Sequence, residues 1–439
     1  MEKKKSIFSY YKPYKKIFFA DMFFAIMASI ITLVIPLVVR YITSTVIYYE
    51  TDEAFRVILK LGLMMTVLIL FQCYCNYFIA NYGHVMGAKI EYDMRAEIFA
   101  HYQKLPFSFY DNQKVGQLLS RITSDLFDIT ELLHHGPENV VISAMKFIGA
   151  FVILFTISPK LTFAAFALIP FMFLYAWFFN RKMKKAFARN RVKIADINAQ
   201  IEDNLSGIRV VKSFANESVE EEKFKVGNDG FLAAKKDSYL YMGGYHSGLT
   251  AFINMITVIV LVTGGILITK AQVSVTDLVT FLLYISIMTD PVRTMIDFAE
   301  MFQNGYSGYE RFQEILAIEP DIQDSQGSEE LTDVKGTIDF ENVSFQYEEN
   351  TEKVLSHIDL HVDAGEYLAL VGSSGAGKTT LCNLIPRFYD VTGGSIKVDG
   401  KDVRDLTLKS LRDHIGIVQQ DVYLFVGTVY DNIAYGRPD

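Results

Sequence analysis

Residues 372–380 read GSSGAGKTT, which is the pattern G-x-x-x-x-G-K-T of a phosphate-binding loop. Glycines in such a loop let the backbone approach phosphate oxygens closely, so that its N–H groups point at them. The apolar run at 367–371 predicts a strand before the loop, and a helical pattern starts after it at Leu381. Because the motif requires a strand, a glycine-rich loop and a helix in this order, these residues predict a nucleoside triphosphate site.

Two side chains of this loop carry the predicted chemistry. Lys378 is expected to reach the β- and γ-phosphates, and the Thr379 hydroxyl is expected to bind Mg²⁺. The alternative is a glycine-rich turn between a strand and a helix, with an incidental lysine. The patterns on both sides of the loop favour the nucleotide site.

The part of the chain before this loop is rich in long apolar runs. The whole sequence is 51% hydrophobic and has a mean hydropathy of +0.21. A helix needs about 20 apolar residues to cross about 30 Å of hydrocarbon. Buried helices of a large soluble core would explain one such run but not several. Six windows are predicted to span a membrane: 17–39, 57–82, 137–157, 161–180, 245–268 and 273–290.

Basic residues orient these spans. The N-terminal tail holds 6 Lys and Arg, segment 83–136 holds 5 and segment 181–244 holds 13, whereas the loops on the opposite side hold 4. Since basic residues favour the cytoplasmic side, the tail and both long segments are predicted to be cytoplasmic. The net charge of −8 averages this basic face with an acidic soluble part. No basic stripe with interleaved aromatics supports nucleic-acid binding.

The two cytoplasmic segments are 54 and 64 residues long, yet proline and glycine are sparse and apolar residues recur at helical spacing. Unstructured connections of that length are uncommon in compact proteins. We therefore predict that the spans continue as helical arms, each ending in a short helix that contacts the nucleotide-binding domain. The predicted fold is a multi-pass α-helical membrane domain of six spans with long cytoplasmic arms, followed by an incomplete α/β P-loop NTPase domain.

Several stretches resemble the exporter branch of the ATP-binding cassette (ABC) transporters. LPFSFYD at 105–111 and RVVKSF at 209–214 are similar to the two coupling segments of that family. FENVSFQY at 340–347 resembles its first strand and aromatic adenine platform, and RFYD at 387–390 follows the loop as in the family. IGIVQQD at 415–421 resembles its glutamine loop. The resemblance extends from the N-terminal tail to the last residue.

This resemblance implies ATP-driven export of a drug, a lipid or a peptide across the cell membrane, by a dimer of two identical or different half-transporters. It implies ATP and Mg²⁺ as cofactors, with Tyr347 stacking on adenine and Gln420 bridging Mg²⁺ and the attacking water. Gln420 is preferred over Gln419 because the family's glutamine stands second after a strand valine, here Val418. The residues predicted to bind nucleotide are Tyr347, Gly372, Ser373, Ser374, Gly375, Ala376, Gly377, Lys378, Thr379, Thr380 and Gln420, of which Thr379 and Gln420 would also bind Mg²⁺.

The family's signature sequence, catalytic glutamate and switch histidine all lie downstream of Gln420, and 19 residues follow that position. We therefore expect a C-terminally truncated chain that binds ATP without hydrolysing it. An importer with the same fold and a nucleotide-binding membrane protein without turnover are the alternatives. The predicted domains are an N-terminal elbow at 1–16, a membrane domain at 17–305, a linker at 306–335 and the first part of an ATP-binding domain at 336–439.

Two histidines and the three cysteines are candidate metal ligands by residue type. His134 and His135 suggest a metal, but no third ligand follows them in the sequence, so they predict a polar cytoplasmic site. The three cysteines lack zinc-type spacing and predict no disulfide framework.

Three amides lie within the predicted spans. Gln72, Asn76 and Asn254 are predicted to face a polar cavity between helices, with hydrogen bonds between helices as the alternative. An aromatic content of 14% suits an apolar substrate without selecting one.

Overall fold

The computed structural model describes residues 5–111, 113–347, 353–419 and 422–437. They divide into two compact units. The first unit comprises residues within 1–96 and 121–313, and the second comprises residues within 97–120 and 314–439.

In the described part of the chain, six helical stretches are long and apolar enough to cross a membrane, which confirms the six predicted spans. A π turn at Ile79–Gly83 joins the two helices of the second stretch, and a 3₁₀ helix at Ile7–Tyr14 precedes the first. The long helices are α1 (Lys15–Ser44), α2 (Thr51–Phe78), α3 (His84–Tyr102), α6 (Ser124–Ile157), α8 (Ile169–Ser206), α10 (Glu217–Thr269) and α11 (Val275–Leu316). The short helices among them are α4 (Phe107–Asp111), α5 (Val115–Ile122), α7 (Pro159–Phe166) and α9 (Ile208–Ser213).

Capped turns join neighbouring spans. The Ser158 hydroxyl accepts a hydrogen bond from the Leu161 N–H at 3.4 Å, and Pro159 fills the first position of α7, where no N–H is needed. At the start of α11, the Asp277 N–H donates to the Ser274 hydroxyl at 3.0 Å, and the Ser274 N–H donates to the Asp277 carboxylate at 3.1 Å. Both helices therefore begin where a local sequence signal satisfies their first N–H groups.

Several helices are much longer than a membrane is thick. Helix α10 has 53 residues, which corresponds to about 80 Å, whereas the hydrocarbon layer is about 30 Å thick. The second stretch continues through α3 in the same way, and α8 has 38 residues. The predicted helical arms are thus confirmed. Helix α11 continues to Leu316, so the first part of the segment 306–335 is helical.

A polar side chain of the second span joins two helices instead of lining a cavity. The Gln72 amide donates to the Thr32 hydroxyl at 2.7 Å and to the Ala28 carbonyl oxygen at 3.2 Å, both on α1. The cavity interpretation of Gln72 is therefore wrong, because a hydrogen bond to the neighbouring helix satisfies its amide in the membrane. Asn76 and Asn254 are exposed, and a cavity role for them stays a prediction.

The second unit holds a four-stranded antiparallel sheet with strand order β2-β1-β3-β4. One face of the sheet buries an apolar core with Phe340, Phe345 and Ile396, and the helix residues Leu384 and Leu411 are fully buried in the same core. The strands are β1 (Ile338–Phe345), β2 (Leu355–Val362), β3 (Gly393–Val398) and β4 (Lys401–Asp402), and the helices are α12 (Lys378–Leu384), α13 (Leu408–Asp413) and α14 (Val429–Ile433).

The strand predicted at 367–371 does not form. These residues belong to no strand, and Tyr367 and Val371 are almost fully exposed. Val418, expected in the strand before Gln420, is also exposed and outside any strand. A strand is defined by its pairing, and among the described residues no strand pairs with either run.

Candidate functional site

The phosphate-binding loop leads directly into helix α12. The helix begins at Lys378, three residues before the helical pattern predicted at Leu381. Gly375 and Gly377 have φ angles of +83° and +85°, a left-handed conformation that favours glycine. At Gly377 a Cβ atom would lie 2.8 Å from the Leu355 side chain. The backbone conformation at Gly375 and Gly377 therefore favours glycine at both positions.

Lys378 folds back over this loop. Its Nζ donates hydrogen bonds to the carbonyl oxygens of Gly372 at 3.0 Å and Ser373 at 2.8 Å. A lysine ammonium has three N–H donors, so these two bonds leave one donor for a phosphate oxygen. Residues 372–376 are exposed, so the loop backbone is open to a ligand.

The two threonines after the lysine have different surroundings. Thr379 is exposed, which suits the predicted metal-ligand role, whereas Thr380 is buried and its hydroxyl is 2.9 Å from the hydroxyl of Tyr347. The structure thus brings Tyr347 beside the loop, 33 residues away in sequence. Tyr347 is 44% exposed, so part of the residue remains accessible to a ligand. Gln420 lies outside the described residues.

Tyr347 belongs to a cluster of three aromatic rings. The Phe345 ring packs edge-on against Tyr347 at a centroid distance of 4.9 Å, and Tyr389 does the same at 5.3 Å. Edge-to-face pairs of this kind contribute about 0.5–1.5 kcal/mol beyond the area they bury. Tyr389, from the RFYD stretch, is therefore a direct neighbour of the predicted adenine platform.

Tyr389 also contacts the short helix α4, which we name the first tip (Phe107–Asp111). Its hydroxyl donates to the Asp111 carboxylate at 2.7 Å, and the neighbouring Phe388 ring stacks on Phe107 at a centroid distance of 4.3 Å. Burial raises the pKa of the Tyr389 hydroxyl, and the hydrogen bond to Asp111 raises it further. The hydroxyl stays protonated and remains a donor.

The backbone that carries this aromatic pair is held by two arginines. Arg387 is buried, has a φ angle of +53° and forms an ion pair with Asp390 at 2.8 Å. Arg412 donates to the carbonyl oxygens of Pro386 at 3.0 Å and Arg387 at 2.9 Å. These bonds fix the turn after α12, so Phe388 and Tyr389 keep their direction.

The sequence predicted that a short helix of each arm contacts the nucleotide-binding domain, but it did not identify the RFYD stretch as the contact of the first tip. The signal in the sequence is an aromatic pair between two charged residues, shortly after α12. Asp111 and Tyr389 are 278 positions apart, so no local pattern connects them.

Two family models match this chain. Residues 18–292 match the ABC transporter transmembrane region, and residues 355–437 match the ABC transporter model of the nucleotide part. The chain belongs to the ABC transporter family. Both regions occur in one chain, together with six helices suited to cross a membrane. The chain is therefore an ATP-driven transporter that spans the cell membrane several times and carries a cytoplasmic nucleotide-binding domain.

Similar transporters occur in two bacteria. The chain is 40% identical over 433 residues to the ABC transporter ATP-binding protein YwjA of Bacillus subtilis, a match that covers 99% of this chain and 75% of the relative. It is 30% identical over 442 residues to a B. subtilis protein named "Putative multidrug export ATP-binding/permease protein YgaD", covering 99% and 76%. A Staphylococcus aureus protein that is also named for multidrug export is 31% identical over 438 residues, covering 99% and 76%.

The second cytoplasmic tip of this ABC transporter is α9 with the residue after it, and we name residues 208–214 the second tip. Its side chains bond within the same arm: Lys212 is 2.9 Å from Glu217, and the Ser213 hydroxyl donates to the Val210 carbonyl oxygen. Val210 is 61% exposed and Phe214 is 72% exposed. The second tip thus presents apolar side chains to its surroundings.

For His134 and His135 the sequence predicted a polar cytoplasmic site without a third ligand, and the fold brings candidate ligands to both residues. These candidate ligands are Glu138, His84 and Asp21. Glu138 lies on α6 with the two histidines, whereas His84 lies on α3 and Asp21 on α1. Helical spacing already places Glu138 beside both histidines, at i+4 from His134 and i+3 from His135. No local pattern brings Asp21 on α1 or His84 on α3 to α6. The three cysteines are free in the structure.

Proposed function

We propose that this ABC transporter exports a small or amphipathic compound, such as a drug, a lipid or a peptide, and that two half-transporters form the transport unit. Two relatives named for multidrug export support this substrate class. The six apolar stretches of this chain supply half of a twelve-helix pathway in such a dimer.

In this proposal the loop residues 372–380 hold the phosphates of ATP. Lys378 contacts the β- and γ-phosphates with its remaining donor, and the exposed Thr379 hydroxyl binds Mg²⁺ together with Gln420. Tyr347 carries the adenine ring. The loop geometry supports this assignment, because its glycines adopt conformations that keep the backbone open to phosphate oxygens.

One observation carries the proposal: a continuous set of contacts joins the first tip to the phosphate-binding loop. Asp111 contacts Tyr389, Tyr389 packs on Tyr347, and Tyr347 contacts Thr380 in the phosphate-binding loop. In this proposal, a nucleotide that moves the loop also displaces the first tip. ATP drives the change only if it binds the closed arrangement of the nucleotide domains more tightly than the open one.

ATP binding by the chain is tested with a Lys378→Ala variant and a fluorescent ATP analogue. We expect at least a tenfold weaker affinity, because the variant loses the charge that faces the phosphates. Lys409→Ala is the matched control, since Lys409 is an exposed lysine of the same domain. Equal affinity of both variants would contradict the assignment of the loop.

The direction of transport is tested in inside-out vesicles from cells that express the gene. An exporter accumulates an apolar dye inside these vesicles when ATP is added. ATP-dependent loss of dye would indicate an importer, and ATP binding without any dye movement would indicate a regulator.

A further inference from the structure

Five side chains with metal-binding atoms converge in the first unit. Asp21 lies on α1, His84 at the start of α3, and His134, His135 and Glu138 on α6. They form two groups that share His134: His84 with both other histidines, and Asp21 with His134 and Glu138. Within each group the candidate ligand atoms lie within 4.8 Å of one another.

The shortest separations in this cluster suit a shared cation. His134 Nε2 is 3.1 Å from His84 Nδ1 and 3.9 Å from Glu138 Oε2, and His135 Nδ1 is 3.3 Å from Glu138 Oε2. Two ligands of a tetrahedral Zn²⁺ site, each about 2.0–2.2 Å from the metal, lie about 3.3 Å apart. The cluster is therefore close to the spacing that a bound ion would impose.

Three buried polar atoms of the cluster lack a hydrogen-bond partner among the described residues. Asp21 is fully buried, and neither of its carboxylate oxygens has a hydrogen-bond partner among the described residues. His134 is 3% exposed, and within the same described part its Nδ1 is also unpartnered. A buried carboxylate without a partner is strongly unfavourable, so this site calls for a positive ligand.

The backbone leaves room for these side chains at one glycine. Gly83 ends the π turn, and a Cβ atom there would lie 2.4 Å from His134 Cε1 and 2.9 Å from Asp21 Oδ1. π turns inside helices occur frequently at functional sites. The absence of a side chain at Gly83 leaves space for His134 and Asp21. The π turn ends directly before His84, which lies in the cluster.

We propose that this cluster is a binding site for a divalent transition-metal ion, with Zn²⁺ as the ion of matching chemistry. Imidazole nitrogens combined with carboxylate oxygens suit Zn²⁺, whereas Mg²⁺ and Ca²⁺ prefer oxygen ligands alone. The ion offsets the charge of Asp21 and joins α1, α3 and α6. The N-terminal elbow is held at the same place, because the Tyr11 hydroxyl donates to the Leu133 carbonyl oxygen, next to His134.

The site is tested by metal analysis of the purified chain in detergent. After chelator treatment, incubation with Zn²⁺ and gel filtration, we expect about one bound Zn²⁺ per chain. Zn²⁺ is expected to raise the unfolding temperature by about 5 °C, since it binds only the folded chain. Mg²⁺ and Ca²⁺ should do neither, and a similar gain with Mg²⁺ would overturn the proposal.

Two kinds of variant separate metal binding from folding. His134→Ala and Asp21→Asn remove ligands and should lower the Zn²⁺ affinity at least about tenfold, whereas His246→Ala, an exposed histidine of α10, should not. Gly83→Ala keeps every ligand but fills their space, and it should lower the affinity as well. Gly87→Ala is its control, because a Cβ atom there lies at an ordinary 3.4 Å from His134 Cβ.

Where the buried variants fail to fold, His84→Gln provides the same test at an exposed position. Zinc binding that is unchanged in His84→Gln and in Gly83→Ala would overturn the proposal, as would a chain that retains no zinc at all. Loss of zinc binding in both, with the unfolding temperature of the metal-free chain unchanged, supports it.

Discussion

The two cytoplasmic tips of this transporter are similar in length and differ in what their aromatic side chains contact. In the first tip, Phe107 stacks on Phe388 and Asp111 accepts a hydrogen bond from Tyr389. In the second tip, Phe214 is 72% exposed, and the polar residues around it bond within their own arm. The first tip thus has its partner in the same chain.

This difference indicates what a complete transport unit needs. An exposed phenylalanine beside an exposed valine is an apolar surface of the kind that a protein partner covers. Under the proposed function, that partner is the nucleotide-binding domain of a second half-transporter. Each nucleotide domain would then receive one tip from its own chain and one from the other, so both membrane halves would respond to the same ATP.

The largest expected effect is at Tyr389, which contacts the first tip. Tyr389→Ala removes the hydrogen bond to Asp111 and the ring contacts with Tyr347 and Phe345. We expect the free energy that keeps the first tip docked to fall by about 2–3 kcal/mol, because a half-buried aromatic ring is lost. Hydrogen exchange of the peptide covering residues 105–118 measures this change.

The control for this variant is Tyr367→Ala, because Tyr367 is fully exposed. Exchange of the peptide 105–118 should be unchanged in that variant. If Tyr389→Ala also left the exchange unchanged, the first tip would not depend on this contact, and the two tips would be equivalent.

A smaller effect is expected at the second tip. Phe214→Ser should leave the unfolding free energy of the single chain within about 0.5 kcal/mol, because the side chain is exposed. It should weaken the association of two chains about tenfold, or 1.4 kcal/mol, because the apolar contact with the partner is lost. Sedimentation in detergent gives the dissociation constant.

Val226→Ser is the matched control for the second tip. Val226 is 67% exposed on the same arm but lies outside the tip, so its replacement should not change association. Chains that associate equally with Phe214→Ser would show that the exposed surface of the second tip is not an interface.

The contrast between what the sequence predicted and what it missed follows from the range of the interactions. The six spans and the phosphate-binding loop were predicted because consecutive residues encode each of them. A span needs about 20 apolar residues, and the loop needs nine residues. The long arms followed from helical spacing in the same local way.

Features that depend on distant pairing were not predicted. The run at 367–371 has the composition of a strand, but a strand also needs a partner, which no local pattern supplies. Gln72 was assigned to a cavity because the sequence does not show that Thr32 lies 2.7 Å away. Around His134, Asp21 and His84 come from other helices, which no local pattern links to the histidine pair. Glu138, one helical turn after His134, follows from helical spacing and was overlooked.

The smallest effects concern the hydroxyl of Tyr389 alone. Tyr389→Phe keeps the ring and loses the bond to Asp111, and it should cost the docked first tip about 1 kcal/mol. Asp111→Asn should cost less, since the amide oxygen still accepts the bond. The same hydrogen-exchange measurement ranks these variants below Tyr389→Ala, and a Tyr389→Phe effect as large as that of Tyr389→Ala would mean that the rings add nothing.

The pH dependence of the same bond can be predicted from the pKa of Tyr389. Burial and the bond to Asp111 raise that pKa above the ordinary tyrosine value of about 10, so the protonated donor persists in the docked state. A group with a raised pKa contributes its full stabilisation below its unfolded-state pKa and loses it as the pH rises through the folded-state value. The difference between the native chain and Tyr389→Phe should therefore be constant from about pH 6 to pH 9 and disappear only above about pH 10. A difference that already declined near neutral pH would assign the docking of the first tip to another titrating group.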